Sequence, residues 1–258
     1  MRIARTTTTC ALALTAGLVL AGCQGAGPAD PGEATAPETT AEPTETSEPT
    51  EDPAPADGTD PVPDDELPGE SMPLYFPEGA EPDVVGVAFD DVLVVRALPD
   101  PAADPVGELA PTDSTTTTGR ERAIDSGQWA EVQLGAGVGW VNTAYLGYLG
   151  ATSDTTADYS DVLPEIANPR EVTGTVGQHA AEANTAVGGA DDAWTVVEQA
   201  DVEAPTHAVV DVLGYPDDSQ RGERLRIEFE AGSRGGRVAL IESTAICGRG
   251  VTEDGLCL

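Results

Sequence analysis

Four cysteines, two histidines and a large surplus of carboxylates are the side chains of this 258-residue chain with chemistry to offer. The cysteines stand at Cys10, Cys23, Cys247 and Cys257, and the histidines at His179 and His207. None of these spacings matches a zinc site, which wants close pairs of Cys or His. A Gly-x-Ser-x-Gly elbow, a His-Glu-x-x-His helix, a P-loop and a dinucleotide-binding glycine pattern are all missing. His207 opens a β-type run out of phase with Ala208 and Val210, which predicts an exposed or cross-strand position. The acidic pairs Asp191-Asp192 and Asp217-Asp218 lie beside Gly or Pro and read as turn formers, with weak calcium ligation as the other use of such pairs. Read alone, these residues ask for no catalytic constellation, no metal and no cofactor.

Charge narrows the partners. There are 46 acidic residues against 12 basic ones, a net charge of -34, and every basic residue is Arg. Binding to nucleic acid, which depends on basic residues displacing phosphate counterions, is excluded. Electrostatic docking on anionic lipid is excluded on the same ground. Gln24 to Met72 holds 14 of the acidic residues and no basic one, and the part after Met72, with 32 acidic and 10 basic residues, is also strongly acidic. Aromatics make up 4% of the chain, so any core must be built mainly of Val, Leu, Ile and Ala.

The elements that must position these groups follow in order. Arg2 and Arg5 precede an apolar run from Ala11 to Leu20, a signal-peptide pattern too short for a membrane span. It ends in Leu20-Ala21-Gly22-Cys23, which resembles the lipobox of bacterial lipoproteins. That resemblance implies removal of residues 1–22, lipidation of the Cys23 thiol, and an anchor in the cell membrane through at least two acyl chains, enough for stable attachment. Residues 23–72 are rich in Pro, Thr, Glu and Asp and poor in large apolar side chains, which predicts a disordered linker. As a coil it would reach roughly 35–40 Å, suited to a stalk.

From Val84 the texture becomes short β runs between turn residues: Val92–Val95, Gly107–Leu109, Ser114–Thr118, Trp129–Leu134 and Val138–Val141. Alternation places Ala130, Val132 and Leu134 on one face. Residues 84–149 resemble a bacterial SH3-like domain. The resemblance rests on Leu93-Val94-Val95-Arg96-Ala97-Leu98-Pro99, Gly107-Glu108-Leu109, Gln128-Trp129-Ala130-Glu131-Val132 and Gly139-Trp140-Val141-Asn142-Thr143-Ala144-Tyr145-Leu146. Val94 and Leu98 depart from the family's Asn and Gly. The resemblance implies a small antiparallel barrel that binds extracellular targets, often peptidoglycan. Trp129, Trp140 and Tyr145 are its available aromatic contact surface and Arg96 a group that could pair a ligand carboxylate, although Trp140 equally suits a core position. Arg120 and Arg122 could pair such a carboxylate too, and for all three arginines the neighbouring Asp and Glu favour ordinary surface ion pairs.

A polar bridge at Ala151–Asp161 then leads to a predicted α+β domain over 159–258. Asn168-Pro169-Arg170-Glu171 is a helix start with a capping box. Val172, Val176, Ala180, Ala183 and Val187 recur at helical spacing, and Gly188-Gly189 supplies the stop. Gly174 and Gly177 weaken the early turns. Strands are predicted at Trp194–Val197, Ala208–Leu213, Leu225–Glu230 and Val238–Ile246, with a turn at residues 232–236. The tail from Cys247 to Cys257 resembles the ends of uncharacterised secreted proteins of high-GC bacteria, a likeness that implies no activity. With Cys10 in the signal and Cys23 lipidated, Cys247 and Cys257 are expected to form a disulfide outside the cytoplasm.

The expected whole is a mainly β, lipid-anchored envelope protein without catalytic activity, binding wall material or a protein partner. Two alternatives stand beside it: a hydrolase in the C-terminal domain, which would place a deep pocket with converging carboxylates around His207, and a structural subunit of an envelope complex, which would expose a large apolar patch.

Overall fold

Leu225–Glu230 alternates apolar and charged residues with period two, and a strand follows from it. The computed structural model describes residues 58–73, 75–163, 168–190, 193–230 and 236–258. The residues that resemble a lipobox, with Cys23, the expected linker up to residue 57, the Asp191-Asp192 pair and most of the expected 232–236 turn lie outside them. Among the described residues there are twelve strands in two antiparallel six-stranded sheets and one α-helix, so the chain is mainly β.

The first sheet contains β1 (Glu70–Ser71), β3 (Leu93–Arg96), β4 (Pro105–Leu109), β5 (Thr117–Ile124), β6 (Gly127–Leu134) and β7 (Gly137–Asn142), in the order β1-β5-β6-β7-β3-β4. Strand β5 begins three residues later than its β-branched run suggests and continues to Ile124. The charged stretch Arg120-Glu121-Arg122 masks this continuation in the sequence, because Glu121 and Arg122 are in fact buried. Ala130 and Val132 pack on one face with Phe76, Val84, Val95, Leu109 and Leu146.

The opposite face is covered too, which corrects the expected extent of the disordered linker. Residues 58–72 lie on the sheet: Thr59 exchanges backbone hydrogen bonds with Val138, and β1 pairs with β5. Leu67 is buried against Trp129 and Trp140, with Val62, Leu98 and Ile124 beside them. Arg120 donates to the buried Glu131 at 2.7 Å, to Asp64 at 2.9 Å and to the Val62 carbonyl at 2.6 Å. Arg122 donates to the Asp64 backbone oxygen at 2.7 Å. A segment acidic enough to read as solvated is thus held by two arginines and one leucine.

The second sheet contains β2 (Asp83–Val84), β8 (Leu146–Asp154), β9 (Trp194–Glu198), β10 (His207–Leu213), β11 (Gln220–Phe229) and β12 (Val238–Cys247), in the order β2-β8-β12-β11-β10-β9. The start of β8 pairs with β2 at Val84↔Leu146, and its remainder pairs with β12 from Tyr148↔Cys247 to Asp154↔Glu242. The first part of the expected polar bridge, Ala151–Asp154, is therefore strand, and a 3₁₀ turn follows at Thr156–Tyr159. The strand's Ser and Thr side chains suit an exposed face, and Thr152 and Thr244 share a hydroxyl hydrogen bond across it.

Helix α1 (Pro169–Ala186) begins where its sequence predicts, with Pro169 in the first turn and the Asn168 side chain accepting from the Arg170 amide rather than from that of Glu171 as a capping box would have it. Val172, Val176 and Ala180 pack on Leu225, Ile227 and Phe229, which alternate inward along β11. Ala183 and Val187 face solvent, and Asn184 takes the last inward position. Gly177 has a packing reason: a Cβ there would lie 2.4 Å from the Trp194 ring. Cys247 and Cys257 form the expected disulfide, with Cα atoms 5.1 Å apart.

The described residues belong to one compact unit, Glu51–Leu258. Asp211, fully buried on β10, accepts from both Arg224 Nε at 2.7 Å and Arg224 Nη2 at 2.9 Å. The same pair grips the β2 segment, since Arg224 Nη2 donates to the Val84 carbonyl and the Gly86 amide donates to Asp211, each at 2.7 Å.

Candidate functional site

Strand β7 ends at Asn142, whose side-chain oxygen accepts from the Ala144 amide at 2.9 Å and turns the chain into a 3₁₀ turn, Thr143–Tyr145. From the second sheet, Arg221 holds this turn by donating to the carbonyls of Thr143, Ala144 and Leu146. Tyr145 is thereby presented outward, 42% exposed.

Tyr145 forms one side of a cleft of about 500 Å³ between the 86–94 segment, the β5–β6 turn at Ser126 and the end of β7. Arg96 and Trp129 also line it, so three of the four residues singled out by the SH3-like resemblance converge on one concavity. Arg96 Nη1 donates to the Ala103 carbonyl at 3.0 Å, which orients the guanidinium. Thr195 reaches the cleft from the second sheet, where the Phe89 amide pairs with the Val196 carbonyl.

The tryptophans need correction as contact surface. Trp140 is 1% exposed and lines neither this cleft nor its neighbour. It is core, packed against Leu67 and Trp129, with the Arg120 guanidinium 5.7 Å from its ring centre. Trp129 is 4% exposed and serves both as core and as cleft wall. Its indole Nε1 is buried with no hydrogen-bond partner. An orphaned donor costs on the order of 1–3 kcal/mol, and an indole N–H can only donate.

Two residues were missed by the sequence reading. Ser126 and Asn142 line the cleft and place a hydroxyl and an amide beside Tyr145. Asn142 lies inside the Gly139–Leu146 motif, but its role appears only once the 3₁₀ turn is formed.

His207 lies apart from this site, with Nε2 2.8 Å from Glu198 Oε1 across the β9–β10 edge. His179 packs edge-on against the Tyr159 ring, with centroids 5.4 Å apart. Asp217 closes a turn, accepting from the Ser219 and Gln220 amides and the Ser219 hydroxyl. Those donors hold its carboxyl down at about 2. Among the described residues no group of three or more His, Cys, Asp or Glu could hold a metal ion, and no helix is long and apolar enough to cross a membrane. No protein-family model, curated protein or solved structure matches the chain.

Proposed function

We propose that this chain is a lipid-anchored cell-envelope protein, attached through Cys23, whose SH3-like segment binds cell-wall material outside the cytoplasm. Support for this reading comes above all from the convergence of Arg96, Trp129 and Tyr145 on one cleft, from residues that stand 16 to 49 positions apart in the chain. An exposed phenol and a guanidinium on one cleft offer a flat apolar contact together with donors. That combination suits amide- and carboxylate-bearing polymers better than uncharged sugar alone. The hydrolase alternative has less behind it, since His207 is engaged by a single carboxylate and lines neither large cleft.

The test is co-sedimentation of the detergent-solubilised full chain with purified cell-wall sacculi, beside Tyr145→Ala and Arg96→Ala. Trp129 is a poor target, because truncating it opens the core. Each variant is expected to bind at least about tenfold more weakly, the loss of one anchoring contact. Equal binding by parent and variants would remove the cleft from the mechanism. No sedimentation of the parent would replace the wall by a protein partner. Mass spectrometry of the mature N-terminus tests the anchor separately: an unmodified Cys23 thiol would sink it.

A further inference from the structure

A second cleft, of about 550 Å³, adjoins the first at Ser126 and Asn142 and extends to Arg221 and Arg249 on the second sheet and its disulfide loop. Its cations are unusual in so acidic a chain. Arg120, Arg122 and Arg224 are each locked to carboxylates. Arg221 instead spends three of its five N–H donors on backbone carbonyls, at 2.7 to 3.1 Å, and no carboxylate among the described residues lies within ion-pair distance of it. Burial lowers its pKa with no acidic neighbour acting against that shift.

Arg249 is ion-paired with Asp218 at 2.5 Å, a carboxylate that is 82% exposed, and its charge also acts on Asp217, which the Ser219 and Gln220 donors already hold. A pair so open to water contributes little, so exchanging Asp218 for another carboxylate costs little. The loop that carries Arg249 is fixed. Cys247 is disulfide-bonded to Cys257, and Gly248 sits directly on the Arg221 stem, where a Cβ would lie 2.9 Å from Cδ. Gln128, Ser126 and Asn142 supply neutral polar groups along the rest of the wall.

We propose that this cleft binds a ligand carboxylate, held by Arg249 in place of Asp218 and set against the uncompensated charge of Arg221. A monoanion fits better than a phosphate, because a dianion would meet Asp218 and the field of an acidic protein. The site depends on residues of the second sheet and stands whether or not the first cleft recognises wall material.

Because all 12 basic residues are arginines, the Nε–H region of a ¹⁵N spectrum of the full chain is sparse enough to read directly. The probes are acetyl-Ala-Ala-Ala as free acid, its C-terminal amide, and inorganic phosphate. The free acid is expected to shift the Arg221 and Arg249 resonances saturably and to bind at least about tenfold tighter than the amide. Arg249→Gln, with an otherwise native spectrum, is expected to weaken that binding about tenfold. Equal binding of acid and amide, tighter binding of phosphate, or no shift at either arginine up to about 10 mM would overturn the proposal. Shifts confined to Arg96 and its neighbours would also overturn it while favouring the first cleft.

Discussion

Glu121 sits 2% exposed on β5, its Oε1 accepting from the Tyr75 and Phe76 amides at 2.7 Å each and its Oε2 without a partner. Desolvation raises its pKa above the ordinary 4.5, and the Phe76 and Tyr75 amides offset only part of this. A folded-state pKa above the unfolded one means that the folded protein holds the proton more tightly. The stability contributed by this group is therefore full below pH 4.5 and lost as pH rises through the raised folded value. Glu121→Gln keeps an acceptor for the two amides and removes the charge. Urea unfolding should find variant and parent alike near pH 4 and the variant more stable at pH 7. A parent at least as stable as the variant at pH 7 would show that the buried charge carries no penalty. Nothing in the local sequence announces this residue: Gly119-Arg120-Glu121-Arg122 reads as a solvated stretch until the chain before it folds over.

That covering segment is where an element-level reading departs most from the folded molecule. Short β-type runs, alternating with period two at Trp129–Leu134 and Leu225–Glu230, are enough to place β6, β9, β10 and β12 within two residues and the second half of β11. The alternation also identifies the inward side of β6 at Ala130 and Val132. It could not show that the other side, with Trp129 and Trp140, would be covered, since the cover comes from residues 62–67, more than 60 positions away. Composition averaged Leu67 into an acidic stretch and hid it. Leu67→Ala should lower stability by about 2–5 kcal/mol, the cost of emptying a buried leucine site. Equilibrium denaturation measures it directly; a change near zero would return residues 58–72 to the status of a free stalk. The candidate clefts were legible in the same partial way. Arg96, Trp129 and Tyr145 stand in motifs, whereas Arg221 and Arg249 reach their cleft only through pairing of the second sheet.

At the scale of the molecule, β8 is common property. Its first residues pair with β2 and its later ones with β12, and the Asp211–Arg224 pair grips Val84 and Gly86 next to the β2 end of that sheet. Residues 58–258 should accordingly unfold in one cooperative transition by calorimetry. Asp211→Asn leaves Arg224 buried without its counter-charge and should cost about 3–5 kcal/mol. It should lower the midpoint of the whole transition; a separate early transition for the C-terminal part would argue for two independent folding units. The shared strand also bears on how such a chain can change over generations. Recombination trades segments freely where a cut falls in a loop, but a crossover between Leu146 and Asp154 would hand each daughter half a strand and strand the other half's partners. The two parts must be inherited together or altered together, residue against residue, along β8.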